Sequence, residues 1–183
     1  DEFHETCDID DRTVADFLIR TGATKPFIEW ARKTNFQDAY FLFALLQKFP
    51  EEQLDEIRAK TDNHNNNLAI RFAQNCSDPT LLNQFLGLYP THEAERAMLE
   101  RENNTGTTFT MFLCYTSPPE VIKPFLSRLK DFPLEERLKI FSARNRTGKN
   151  VFWTLKQQND PALFAIFYEC LQGMTDRQRR RCL

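Results

Sequence analysis

The sequence predicts an all-α chain, an α-solenoid of about four three-helix units of roughly 40 residues each. Three observations carry that reading. Short Asn-rich stretches run straight into apolar segments at 62–72 (DNHNNNLAIRF), 102–113 (ENNTGTTFTMFL) and 144–155 (RNRTGKNVFWTL). Aromatic-proline pairs recur at Phe49-Pro50, Tyr89-Pro90 and Phe132-Pro133, at intervals of 40 and 43 residues. Only 5 of 183 residues are glycine and no alternating apolar-polar run is present, which agrees with an all-helical chain.

The first helix of each unit begins where the polar stretch ends. Leu68, Phe109 and Val151 align, and Phe72, Leu113 and Leu155 follow one helical turn later on the same face. The second helix opens at Asp78-Pro79, Pro118-Pro119 and Asp160-Pro161, because proline in a first turn loses no needed N–H. From each second proline the apolar positions coincide without a gap: Leu81, Val121, Leu163; Leu82, Ile122, Phe164; Phe85, Phe125, Phe167; and Leu86, Leu126, Tyr168. These offsets make one helical stripe. The third helix follows the aromatic-proline pair, with acids in its first turn, where the helix dipole favours them. In the last unit GMTDRQRRR takes this place, with Thr175 and Gln178 spaced as a capping box.

Residues 24–60 supply an earlier, more divergent unit that lacks the Asn-rich loop. The whole chain, 1–183, therefore reads as a single repeat domain, with an N-terminal cap at 1–20 and units near 21–61, 62–101, 102–143 and 144–183. Chain reversal between stacked units requires a left-handed residue, a role that Gly106 and Gly148 fill freely and Asn65 tolerates. Asn and Thr side chains then bond the turn and cap the next helix.

The segments NNTGTTF and NRTGKNV resemble the turn and first helix of ankyrin repeats, most closely at Asn103, Gly106, Thr108 and at Asn145, Gly148, Asn150. The likeness covers residues 61–183. It departs from the ankyrin pattern in its longer period, in lacking a Thr-Pro-Leu-His tetrad and in placing Asn65 where glycine belongs; the third helix is more similar to armadillo and HEAT arrays. The Asn- and Phe-rich composition also resembles repeat modules of secreted effectors of intracellular bacteria, which implies the cytosol of a host cell as the site of action.

Composition narrows the function classes. A net charge of −2 and a pI near 6.0 exclude an overall basic field for nucleic acid, although the ends are opposite in sign. Residues 1–11 hold six acids and no Lys or Arg, whereas 144–183 hold eight Lys or Arg and three acids. Five widely spaced cysteines with no C-x-x-C pair write neither a disulfide framework nor a zinc site and point to a reducing, cytoplasmic compartment. The sequons at Asn75, Asn103 and Asn145 are expected to be unglycosylated, and the last two are by-products of the Asn-x-Thr pattern. No apolar run is long enough to cross a bilayer, and the Asp1 start implies a piece of a longer polypeptide.

No catalytic constellation is apparent. His4, His64 and His92 show no ligand or triad spacing, His4-x-x-Cys7 lacks a second pair of metal ligands, and Cys76, Cys114 and Cys170 sit at apolar helix positions as core fillers. No enzyme activity, cofactor, metal or small-molecule substrate is expected. One-base-per-repeat RNA reading is excluded because the equivalent positions Arg71, Phe112 and Thr154 are not matched polar groups.

A monomeric protein-binding module remains. First helices cannot bury every apolar side chain, so Arg71, Met111, Phe112, Phe152 and Trp153 are expected to line a groove. The loop tips Asn63, His64, Asn66, Asn104, Thr105, Arg146 and Thr147 would form its rim. The alternative is an anionic ligand, phospholipid or nucleic acid, held by Arg177, Arg180 and Arg181 on the last helix.

Overall fold

The computed structural model describes Leu54, Arg58, Thr61 and residues 64–183. The expected N-terminal cap at 1–20, most of the unit at 21–61 and Asn63 lie outside the described residues. The chain divides at Lys60 and Thr61, and Thr61–Leu183 forms one compact unit.

Within it the described residues are all-helical, with nine α-helices in three triplets. The first triplet is α1 (Leu68–Ala73), α2 (Pro79–Leu86) and α3 (His92–Glu100). The second is α4 (Phe109–Thr116), α5 (Pro119–Leu129) and α6 (Leu134–Ser142). The third is α7 (Val151–Gln158), α8 (Pro161–Cys170) and α9 (Asp176–Cys182).

Local chemistry sets the starts. Asn67, Thr108 and Asn150 cap α1, α4 and α7 by accepting from the N–H of Ile70, Met111 and Trp153. Pro79, Pro119 and Pro161 open α2, α5 and α8, and Asp78 and Asp160 cap two of them. The expected capping box of Thr175 and Gln178 opens α9.

Each helix packs on its counterpart in the next triplet, giving three files: α1, α4, α7; α2, α5, α8; and α3, α6, α9. The core between files is aromatic. Phe72 stacks on Phe85 at 3.9 Å, Phe85 lies 6.2 Å from Phe109, and Phe109 meets Phe125 edge-on at 5.7 Å. All four rings are buried, and each contributes on the order of 2–3 kcal/mol of hydrophobic stabilisation.

Polar ties repeat as well. At the ends of α4 and α7, Thr116 Oγ1 donates to Ala73 O at 2.8 Å and Gln158 Nε2 donates to Cys114 O at 3.1 Å. Thr116 and Gln158 occupy equivalent positions, so the same contact joins each first helix to the one before it. Glu95, a buried carboxylate, accepts two bonds from Arg128 at 2.8 and 2.7 Å, joining α3 to α5.

Candidate functional site

The loops preceding α4 and α7 are built identically. The Asn103 side-chain oxygen accepts from Thr105 N, Thr105 Oγ1 and Thr107 N at 2.9, 2.7 and 3.0 Å. Asn145 accepts from Thr147 N, Thr147 Oγ1 and Lys149 N at 3.0, 2.8 and 2.9 Å. Each turn closes through a left-handed glycine, Gly106 at φ 73° and Gly148 at φ 77°, and Asn65 takes φ 59° at the equivalent place.

Successive loops bond edge to edge. Asn104 N donates to His64 O at 2.9 Å, and Arg146 N donates to Thr105 O at 2.8 Å. Beneath them Asn103 Nδ2 donates to the buried Asn66 Oδ1 at 2.8 Å. A glycan on Asn103 would have to take that nitrogen. The asparagines therefore bind their own turns and one another.

Side-chain directions divide the expected surface. His64, Asn104, Thr105, Arg146 and Thr147 are exposed at the loop tips, but Asn66 lies beneath them, 6% exposed. Arg71 is half-buried and donates to Gln74 on its own helix. Met111, at 1% exposure, forms the floor of a groove rather than its surface.

Phe152 does not share that groove. It stacks on Phe167 at 5.6 Å and meets Phe164 at 5.9 Å, with Lys156 Nζ 5.3 Å above it, so it belongs to the contact between α7 and α8. The expected pairing of Phe112 with Phe152 fails because adjacent residues of a helix point about 100° apart, and Trp153 takes the groove-facing direction instead.

The groove lies between α4 and α7 and has a volume of about 260 Å³. Phe112, Tyr115 and Trp153 form its walls, Met111 its floor, and Thr107, Asn145 and Lys149 its loop end. Tyr115 is 54% exposed and faces Trp153 with centroids 6.5 Å apart and planes 23° apart. Lys149 Nζ sits 3.6 Å from the Trp153 ring centre, a cation–π contact that holds the ammonium at the loop end. Tyr115 was not among the expected residues, although its i+3 spacing from Phe112 placed it on that face.

The charge around the groove is one-sided. Residues 103–119 and 144–159, which contain all eight lining residues, hold no Asp or Glu and four bases, Arg144, Arg146, Lys149 and Lys156, with Glu102 and Glu120 at the borders of the first segment. Two of the three acids of the last triplet are paired elsewhere, Asp160 with Lys123 at 2.9 Å and Glu169 with Lys130 at 2.7 Å. On α9, Arg177, Arg180 and Arg181 are exposed and share one face, with no ion pair among the described residues.

The four thiols among the described residues are shielded by burial. Cys76, Cys114, Cys170 and Cys182 are buried. Desolvation pushes Cys76 and Cys182 up to about 11, Cys170 to about 12 and Cys114 further still. Among the described residues no group of three His, Cys, Asp or Glu side chains could hold a metal ion. His92 bonds Glu136 at 2.7 Å, which ties α3 to α6, and its ring meets Phe132 at a tilt of 58°. No helix among the described residues is long and apolar enough to cross a membrane.

Compared with protein-family models, curated proteins and solved structures, the chain matches none.

Proposed function

We propose that this chain is a stacked helical-repeat module, an α-solenoid of three-helix units, that binds another protein on the face formed by its first helices and loop tips and catalyses no reaction itself. The three files of equivalent helices and the edge-to-edge loops support the stacked architecture. The Asn-to-Gly turns support a likeness to ankyrin loops, and the third helix a likeness to armadillo units. The observation that carries the binding reading is Tyr115, a large ring left half in water opposite Trp153 across an apolar-floored groove.

The module would serve to localise or regulate an activity encoded elsewhere. The test is capture of partners from cytosolic lysate by the full chain and by a Phe112→Glu, Tyr115→Glu variant matched in helical circular dichroism. Loss of specific proteins from the variant is expected; an unchanged set would refute the assignment of this face.

A second reading, an anionic ligand on α9, is favoured by Arg177, Arg180 and Arg181, which are exposed and have no ion pair among the described residues. It requires phosphate binding that falls steeply with salt and disappears when these three become Gln.

A further inference from the structure

We propose that the groove between α4 and α7 recognises an acidic peptide segment, seating one aromatic or large aliphatic side chain against Tyr115 and Trp153 and placing a neighbouring carboxylate on Lys149. This inference rests on the protein-binding reading and adds the chemistry of the partner.

Size gives the first constraint. At about 260 Å³ the cavity falls below the usual 300–1,000 Å³ of small-ligand sites, and its open side leaves room for one large side chain of a chain lying across it. The eight residues of α4 span roughly 12 Å, the length of about three to four extended peptide residues.

Polarity gives the second. Phe112, Tyr115 and Trp153 offer ring faces over the Met111 floor, which rewards an apolar anchor. The planes of Tyr115 and Trp153 lie 23° apart with centroids at 6.5 Å, so a third ring can add to an aligned pair.

Charge selects the partner. Lys149 is held over Trp153 and has no ion pair among the described residues, while the exposed Arg146 lies one position beyond Asn145 of the lining. The walls carry no carboxylate to answer them, and Asp160, the next acid after the α7 wall, is already engaged by Lys123 at 2.9 Å. A basic segment would meet repulsion here. An acidic one gains charge-assisted bonds to an ammonium whose position is already set. Nucleic acid fits less well, because only one cation lines the cavity and the chain carries net charge −2, whereas phosphate backbones are bound by several cations together.

The test uses the full chain and fluorescein-labelled pentapeptides read by anisotropy: a phenylalanine flanked by two glutamates on each side, the same peptide with lysines for glutamates, and the acidic peptide with glycine for phenylalanine. A ten-nucleotide oligothymidylate is the nucleic-acid probe. The acidic phenylalanine peptide is expected to bind at least about tenfold tighter than either control peptide and than the oligonucleotide, with Lys149→Gln and Tyr115→Ser each weakening it about fivefold to tenfold and Lys149→Arg retaining it. The two groove variants must keep the wild-type circular dichroism.

Equal binding of acidic and basic peptides, tighter binding of the oligonucleotide, or insensitivity to both groove variants overturns the proposal. So does self-association of the chain that Tyr115→Ser abolishes, which would assign the groove to a second copy. If lysate partners are lost on Tyr115→Glu while the acidic peptide fails to bind, the docking face stands and only the partner chemistry falls.

Discussion

Alanine at Gly106 and at Gly148 should have unequal consequences although both glycines occupy the same left-handed conformation, at φ 73° and 77°. A side chain in that region costs about 1–2 kcal/mol, and the reduced freedom of the unfolded chain returns about 0.4–1 kcal/mol. Gly148→Ala should therefore cost about 1 kcal/mol, because a Cβ there meets nothing within 4 Å. A Cβ at Gly106 would lie 3.2 Å from Asn145 Cα and 3.3 Å from Arg146 N, both backbone atoms of the next loop.

That loop cannot yield freely. Arg146 N donates to Thr105 O at 2.8 Å, so relieving the contact stretches the bond that joins the loops. Crowding of this kind costs about 1–3 kcal/mol and the hydrogen bond is worth about 1 kcal/mol, which, added to the conformational cost of about 1 kcal/mol, brings Gly106→Ala to about 3–5 kcal/mol in total. Thermal and urea unfolding of the full chain, followed by helical circular dichroism, would show the midpoint of Gly106→Ala at least about 5 °C below that of Gly148→Ala. Gly148→Asn should recover most of the smaller loss, since Asn accepts this conformation at position 65. Equal losses at the two glycines would show that the loops do not brace one another.

Two further outcomes follow from the titrating groups. In a Cys7→Ser chain at neutral pH, the buried thiols Cys76, Cys114, Cys170 and Cys182 should react with a disulfide reagent only at the rate of unfolding, and rapid labelling of any of them would contradict the burial that raises their pKa. The hydrogen bond from Lys123, then the N–H of Ala162, hold the Asp160 carboxyl below its usual value. The stability it contributes is thus complete above the unfolded carboxylate pKa and is lost as pH falls through the lower folded value. Asp160→Asn, which keeps the helix cap, should flatten the acid limb of a stability-pH profile, and an unchanged limb would refute the ion pair's role.

Much of the local structure was legible because its causes lie within a few residues. Proline without a donor is favoured in a helix's first turn, so Pro79, Pro119 and Pro161 marked α2, α5 and α8, whereas Pro124 lies inside α5. A turn that needs positive φ selects glycine or asparagine, so Gly106, Gly148 and Asn65 mark the turns in the sequence itself. The groove was only half legible. Tyr115 shares a face with Phe112 by simple helical spacing, yet whether that face is covered depends on the neighbouring file of helices.

The sequence by itself determined where helices begin, how they are capped and which stripe of each is apolar, since propensity, capping and periodicity act over one or two turns. Tertiary structure alone decided that Phe152 turns inward to Phe164 and Phe167 while Trp153 and Tyr115 face the groove. It likewise decided that Lys123 and Lys130 neutralise acids 37 and 39 residues away and that Lys149 has no ion pair among the described residues. Burial and charge pairing depend on which surfaces meet, and that is set by how the helices pack in three dimensions rather than by any local run of residues.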